Sequence, residues 1–469
     1  MRFRYRSEEE MKDSGVEWIG RIPNAWKTCS WRYVTEVLTD YTANGSFGDL
    51  AKNVKYLDYE DYARLVRLVD LRENLNNQGV YVTKEAYQYL NKSKLDGGEF
   101  LIANVGANSG LVCKMPMVEY PCTLAPNMMM AKFNHKLINN DFMIYSANSQ
   151  HIQQQLKIKS IQSSAQPKLN KDDFREVLFV MPTKNIQIKI TNFLDIKTDQ
   201  FDSIISKKEA LIQTLEQAKK SLISEVVTGK VKVVKTSDGY ELIERKKEEM
   251  KDSGVDWLGE VPKEWDIKRL RFLGNLQNGI SKSGDEFGFG YPFVSYGDVY
   301  KNTSLPKSVG GLVNSSLNDR RIYSVLEGDV FFTRTSETVD EIGFASTCLD
   351  TITDATFAGF LIRFRPFKDK LYKGFSKYYF RCDLNRKFFV KEMNLVTRAS
   401  LSQNLLNNLA VALPPYEEQQ EIYSALEFKI GGMDCSINKL RYQIQKLKEA
   451  KQALISEAVT GKIEILDEI

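Results

Sequence analysis

Sixteen residues beginning at Met11, MKDSGVEWIGRIPNAW, return at Met250 as MKDSGVDWLGEVPKEW, with ten positions identical at an offset of 239. Trp18, Pro23 and Trp26 fall on Trp257, Pro262 and Trp265. A second echo is closer still: LISEVVTGK at Leu222 recurs as LISEAVTGK at Leu454, with one mismatch in nine. The stretches between these anchors are almost unrelated. A period this long lies outside the range of solenoid repeats. It describes a duplicated domain whose bodies have diverged while their flanking segments have not. Constant segments imply contacts that are the same in both halves, either with each other or with two copies of one partner.

The closing segments read as long helices. No Pro or Gly interrupts Ile186 to Val227, and apolar residues recur at Ile205, Ile212, Leu215, Leu222 and Val226. The second copy places Ile437, Leu440, Ile444, Leu447, Leu454 and Ala458 on the same stripe. Spacings of three, four and seven define the narrow seam of a coiled coil. Lys208 is the discordant residue of the first stripe, where the second has Leu440. Gly229 and Gly461 supply matching stops, and Gly431–Gly432 predict a kink or break in the second helix. Some 40 residues at about 1.5 Å each make a rod of roughly 60 Å, too long to bury in one domain. Each is a spacer.

The bodies mix strand and helix. FLIANVG (Phe100–Gly106) and VFFTRTS (Val330–Ser336) are short apolar runs bounded by turn signals, and LIRFRP (Leu361–Pro366) alternates as a half-buried strand does. DFMIYSANSQHIQQQLKIKSI and KGFSKYYFRCDLNRKFFVKEM read as amphipathic helices late in each body. At 469 residues, two or more domains are expected. No apolar run spans a bilayer, the first residues lack the apolar core of a signal peptide, and six scattered cysteines without CxxC spacing fit reduced thiols in a cytoplasm. A net charge of +4 permits nucleic-acid binding without pointing to it, since clustering decides.

Catalytic signatures are missing. TGKV has no phosphate-cradling frame, and HExxH, GxSxG and kinase motifs do not occur. ALPPYEEQ resembles the Asn/Asp-Pro-Pro-Tyr of base amino-methyltransferases, but Leu413 stands where an acceptor must bind the exocyclic amine. EFGFG is too short and misplaced for a glycine loop binding S-adenosylmethionine. His135 and His151 leave little for a metal centre, and no metal ligands are expected.

The order SGVxW(I/L)Gx(I/V)PxxW, variable body, (L/M)P, long helix and LISExVTGK, written twice, resembles the specificity subunits of type I restriction–modification systems over nearly the whole chain. PPYEEQQEI at Pro414–Ile422 is typical of that family's helix start, whereas PTKNIQIKI departs from it. The resemblance implies a mixed α+β fold: two globular target-recognition domains joined by two long antiparallel conserved helices forming a coiled-coil spacer, in a pseudo-two-fold internal duplication. We partition the chain as an N-terminal conserved segment 1–27, first recognition domain 28–181, first spacer helix 182–230, linker and repeated segment 231–265, second recognition domain 266–413, second spacer helix 414–462 and tail 463–469. It further implies a non-catalytic, cytoplasmic subunit that reads a bipartite double-stranded DNA target. Its implied partners are two methyltransferase subunits and the motor-nuclease restriction subunits. No cofactor is expected on this chain; S-adenosylmethionine belongs to the methyltransferase, ATP and Mg to the restriction subunit. The alternatives are a single-chain restriction–methylation enzyme, disfavoured by the missing motifs, and a coiled-coil adaptor that binds no DNA.

Candidate DNA contacts rest on residue chemistry, since Arg and Lys reach guanine and phosphate while Asn and Gln reach adenine. RLVRLVDLR offers Arg64 and Arg67, and the corresponding PFVSYGDVYKN offers Ser295, Tyr296 and Lys301. The bland alternative there is that Asp70 and Asp298 cap turns. ANVGANSG (Asn104, Asn108) faces TRTSET (Arg334, Thr335, Thr338). SSAQPKLN (Ser163, Ser164, Gln166, Lys168) faces VTRASLSQN (Arg398, Ser400, Ser402, Gln403), with helix capping as its alternative reading. The four paired tryptophans are expected as core anchors.

Overall fold

The computed structural model describes residues 2–161, 166–336, 342–392 and 399–466, with the side chains at 161, 335, 336, 386, 390–392, 399 and 400 also outside the description. Two units divide the chain: Met1–Lys208 with Tyr442–Ile469, and Glu209–Arg441. Both boundaries fall inside the long helices, so each unit contains one end of each rod.

The first helix runs Lys184–Val227 and the second Tyr416–Thr460. In the first unit Lys451 pairs with Asp202 at 2.6 Å and Lys208 with Gln443 at 2.7 Å. In the second, Arg441 meets Glu216 at 2.9 Å and Lys219 meets Asp434 at 2.6 Å. Partners climb one helix as they descend the other, which is antiparallel pairing. All eleven seam residues are buried or half-buried. Lys208 fits by snorkelling to Gln443, its stem half-buried. The expected break at Gly431–Gly432 does not occur. Both glycines are exposed, with Ile430 and Ile437 buried on either side, and packing on that flank outweighs a propensity cost of roughly 1 kcal/mol per glycine.

Both helices end where expected. Gly229 and Gly461 adopt φ of +75° and +73°. Lys230 N donates to Glu225 O and Lys462 N to Glu457 O, each at 2.9 Å, closing matched left-handed caps. A Cβ on Gly229 would lie 2.4 Å from Pro262 and 2.9 Å from Trp265, and one on Gly461 would lie 2.5 Å from Pro23 and 2.6 Å from Trp26. The repeated closing motif of one half therefore packs on the repeated opening motif of the other. Trp26 and Trp265 are buried, as expected. Trp257 is half-buried against Phe388, but Trp18 is 48% exposed and is no core anchor. Strand pairing repeats the exchange: Phe3–Tyr5 pairs with Ile463–Ile465, placing Phe3 opposite Ile465, and Val231–Thr236 pairs with Gly239–Glu244, placing Leu242 opposite Val233.

The two bodies share one topology. In the first, an antiparallel sheet runs Val112–Lys114, Phe100–Ala103, Met128–Phe133, Thr35–Asp40; in the second, Ala345–Thr347, Val330–Thr333, Leu361–Pro366, Gly274–Asn278. Beside each lies a second sheet, four-stranded in the first body and three-stranded in the second, built on a parallel pair, Ala63–Val66 with Cys122–Leu124 and Phe287–Val294 with Thr356–Phe357. The expected late helices each divide in two, Asn140–Ala147 with Gln150–Ile161 and Lys373–Tyr379 with Asp383–Glu392. Leu361–Pro366 is buried along Leu361–Phe364, because Phe331 and Phe357 cover its second face. Arg363 is thus inside, 5.3 Å from the Phe357 ring centroid and donating to Ser324 O.

We expect Gly229→Ala and Gly461→Ala each to cost roughly 2–4 kcal/mol in thermal unfolding, combining a disfavoured φ with overpacking. Gly431→Ala, in open helix, should instead gain about 1 kcal/mol. Burial, aided by Lys462, pushes His151 down to about 4. Below about pH 6.5 the unfolded chain takes up a proton that the folded chain refuses. The stability His151 contributes is complete above pH 6.5 and is lost as pH falls toward 4, about 3 kcal/mol in all. His151→Gln should flatten that slope in urea melts.

Candidate nucleic-acid interface

In the first body, the buried strand Ala63–Val66 passes directly into a short helix, Leu68–Arg72. Arg67 stands between them with its guanidinium clamped on Asp70 through two 2.9 Å bonds, yet its side chain stays 37% exposed. Asp70 is fully buried. Burial alone would raise its pKa, but hydrogen bonds from Arg67 and Asn77 hold it below the usual carboxylate range. Arg64, expected as a groove-facing donor, is a correction. It is 3% exposed and donates to Leu75 O at 2.7 Å and to Asn77 Oδ1 at 2.7 Å, with Asp70 3.5 Å away. It braces the loop from inside.

The other candidate segments converge on the same place. Arg72 donates to Asn108 Oδ1 at 2.7 Å, tying the helix to ANVGANSG. Asn104 N donates to Asn127 O at 3.0 Å, Leu169 N donates to Asn104 O at 2.8 Å, and Gly106 N donates to Pro167 O at 2.9 Å. These bonds lace the strand end to the segment before the long helix. Asn104 Oδ1 is buried without a hydrogen-bond partner among the described residues. Gln166 and Lys168 are exposed on this segment, and Ser163 and Ser164 lie outside the described residues. Arg67, Asn108 and Asn127 line one groove of about 490 Å3, floored by Leu65, Ala103 and Met128.

The second body repeats the junction with different side chains. Arg334 N donates to Phe360 O at 3.0 Å and Leu401 N donates to Arg334 O at 2.7 Å. Thr335 pairs with Ser400 in the counterpart of the bridge between Val105 and Lys168. Gln403 Nε2 donates to Asn278 Oδ1 at 2.9 Å. Ser295 is a second correction: its hydroxyl donates to Asp298 Oδ2 and accepts from Asp298 N, capping the helix Tyr296–Lys301. Ser402 likewise caps Gln403–Asn407, accepting from Leu405 N. Tyr296 stacks on Tyr300, and Lys301 is exposed at the helix end. Thr338 and Arg398 lie outside the described residues, as do the side chains of Thr335 and Ser400.

Asn127 and Phe360 were not among the sequence candidates. Their signal is faint: Thr123-Leu124-Ala125 precedes one, and Thr356-Phe357-Ala358 precedes the other, at an offset of 233.

The family model for the type I restriction modification DNA specificity domain matches residues 49–217 and again 262–431, well over half of the chain. The chain belongs to this family. The putative type I restriction enzyme MjaX specificity subunit of Methanocaldococcus jannaschii is 23% identical over 205 residues, 43% of this chain and 47% of that protein. The chain thus spans about half the length of that relative. The MjaVIII specificity subunit of the same organism is 20% identical across 73% of this chain and 74% of its own length. The EcoKI specificity subunit of Escherichia coli K12 is 22% identical across 58% and 55%. Among solved structures, a chain from work on complex assembly and conformational transition of the type I R-M system superposes with a TM-score of 0.67 at 16% identity, covering 94% of this chain and 99% of that one. The HsdS subunit from Thermoanaerobacter tengcongensis gives 0.50 at 16% identity, covering 94% and 98%. These likenesses give the specificity-subunit fold. Each match of the family model spans most of one variable body and the first part of a long helix.

Asp70→Asn should strongly destabilise the first body, by about 3–5 kcal/mol, because Arg64 is left buried without its counter-charge. Arg67→Ala, at a half-exposed site, should cost far less. Urea denaturation of both variants checks the difference.

Proposed function

We propose that this chain is the DNA-reading, non-catalytic subunit of a cytoplasmic type I restriction–modification complex, and that its two bodies read the two halves of a split double-stranded target. The observation that carries this reading is one backbone junction built twice with different side chains: Asn104, Asn108 and Asn127 in one body, Arg334 and Phe360 in the other. A shared frame with unlike tips suits two unlike half-sites, since phosphate contacts position a protein and base-edge contacts specify. The repeated opening and closing motifs, folded alike in both units, suit docking of two identical methyltransferase subunits. S-adenosylmethionine would be held by those subunits, and ATP with Mg by restriction subunits that join them. Antiparallel pairing of the long helices suits a ruler that sets the gap between half-sites. Among the described residues, no helix is long and apolar enough to cross a membrane.

Co-expression with its adenine methyltransferase partner, followed by genome-wide mapping of methylated adenine, should give a split motif with a fixed gap. Continuous or absent methylation overturns the reading. Deleting one turn from each long helix should change the gap or abolish methylation, and an unaltered gap removes the ruler role.

A further inference from the structure

In each body, one exposed side chain projects from an otherwise buried turn at the junction. The first is Asn127, between the strands Cys122–Leu124 and Met128–Phe133. Ala125 and Met128 beside it are 2% and 1% exposed, whereas Asn127 is exposed. Its backbone sits at φ +68°, a left-handed conformation that Asn adopts more readily than most residues other than glycine, and Asn104 N bonds its carbonyl. The second is Phe360, between Thr356–Phe357 and Leu361–Pro366. Ala358 and Leu361 are 5% and 0% exposed, while Phe360 is 66% exposed.

Both turns are pinned by matching bonds. Ala125 N donates to Val66 O and Ala358 N donates to Val294 O, each at 3.0 Å. Gly359 N adds a bond to Ile280 O at 2.9 Å. A rigid mount limits the entropy lost when a tip side chain meets a ligand. The surroundings also point outward to a ligand. Asn127 opens on the groove lined by Arg67 and Asn108, and Phe360 is joined through its own carbonyl to Arg334. An isolated exposed aromatic is ordinary on a protein surface. One standing at the position where the other body holds an amide, on the same hydrogen-bonded frame, is not scatter.

We propose that Asn127 and Phe360 are the base-contacting tips of the two bodies: Asn127 reads an adenine edge through its amide, and Phe360 packs its ring on the methyl of a thymine. The pairing follows from chemistry, because an amide matches the N6 donor and N7 acceptor of adenine, and an apolar ring matches the only methyl in the major groove. This inference rests on the DNA-reading function proposed above and deepens it.

The test is methylation mapping of the complex carrying Asn127→Gly or Phe360→Ala. Asn127→Gly removes the side chain while suiting the positive φ, so the fold is retained, and thermal melting of both variants verifies this. The expected result for Asn127→Gly is relaxation at a single A·T position of one half-site, with discrimination there falling roughly tenfold or more. Phe360→Ala should do the same at a single A·T position of the other half-site. For the second position, a duplex carrying uracil in place of thymine should weaken wild-type binding and leave Phe360→Ala binding unchanged. An unaltered motif in either folded variant overturns the proposal for that residue, relaxation at a G·C position overturns its chemical assignment, and relaxation of both half-sites by one variant overturns the one-tip, one-half arrangement. A wild-type complex with no split motif would instead defeat the underlying function, so the two failures are distinguishable.

Discussion

Two glycines against two proline–tryptophan pairs hold this architecture to its repeat. Gly229 has room for no side chain because Pro262 and Trp265 fill the space a Cβ would take, and Gly461 is confined in the same way by Pro23 and Trp26. Each contact joins the last turn of a long helix to the opening segment of the other half. The same glycines also need positive φ to terminate their helices. One position therefore satisfies two demands, cap geometry and close approach, and both forbid a Cβ. That double demand accounts for motifs kept nearly verbatim while the bodies between them diverged.

The opening segment itself has a local reason to repeat. In DSGV, Asp13 Oδ1 accepts from Gly15 N and Ser14 Oγ accepts from Val16 N, and Asp252 and Ser253 do the same for Gly254 and Val255. The turn delivers Pro23 and Trp26, or Pro262 and Trp265, to the helix end. At the other end of each rod a buried glutamine does comparable work. Gln187 bonds Pro182 O and Asn139 N, and Gln419 bonds Pro414 O and Tyr372 N, anchoring each helix start to its own body. The bodies are thus fixed to the rods by matched polar contacts, although PTKNIQIKI and PPYEEQQEI look dissimilar.

Much of the scaffold was legible in the sequence because it is written in local signals. The run without Pro or Gly from Ile186 located the first helix to within two residues of its start, and the glycine stops located both ends. Short apolar runs marked the central strands. What stayed hidden depends on contacts distant in sequence. The units take one end of each helix apiece, which no local pattern encodes. Arg64 and Arg363 look like surface cations until Asp70, Asn77, Gln277 and Ser324 arrive from elsewhere to satisfy them. The candidate segments near Arg67, Asn104 and Lys168 were found one at a time by composition. Their meeting at one groove, and the exposed tips Asn127 and Phe360, required the fold. Serines chosen for their hydroxyls proved to include Ser295 and Ser402, which are helix caps, since the same oxygen that can hold a phosphate can hold a backbone amide.

The pairing of Phe3–Tyr5 with Ile463–Ile465 copies the local hairpin Val231–Thr236 and Gly239–Glu244. One ladder closes across thirteen intervening peptide bonds or fewer, and its twin waits until the whole second unit has been made. On a ribosome, the second unit, Glu209–Arg441, has all its parts before Tyr442 emerges, whereas the first still waits for Tyr442 onward to supply its last helical turns and strand. Between these two units the usual vectorial order, in which amino-terminal domains mature earliest, is inverted: Phe3–Tyr5 is made before any of the second unit and pairs only after all of it.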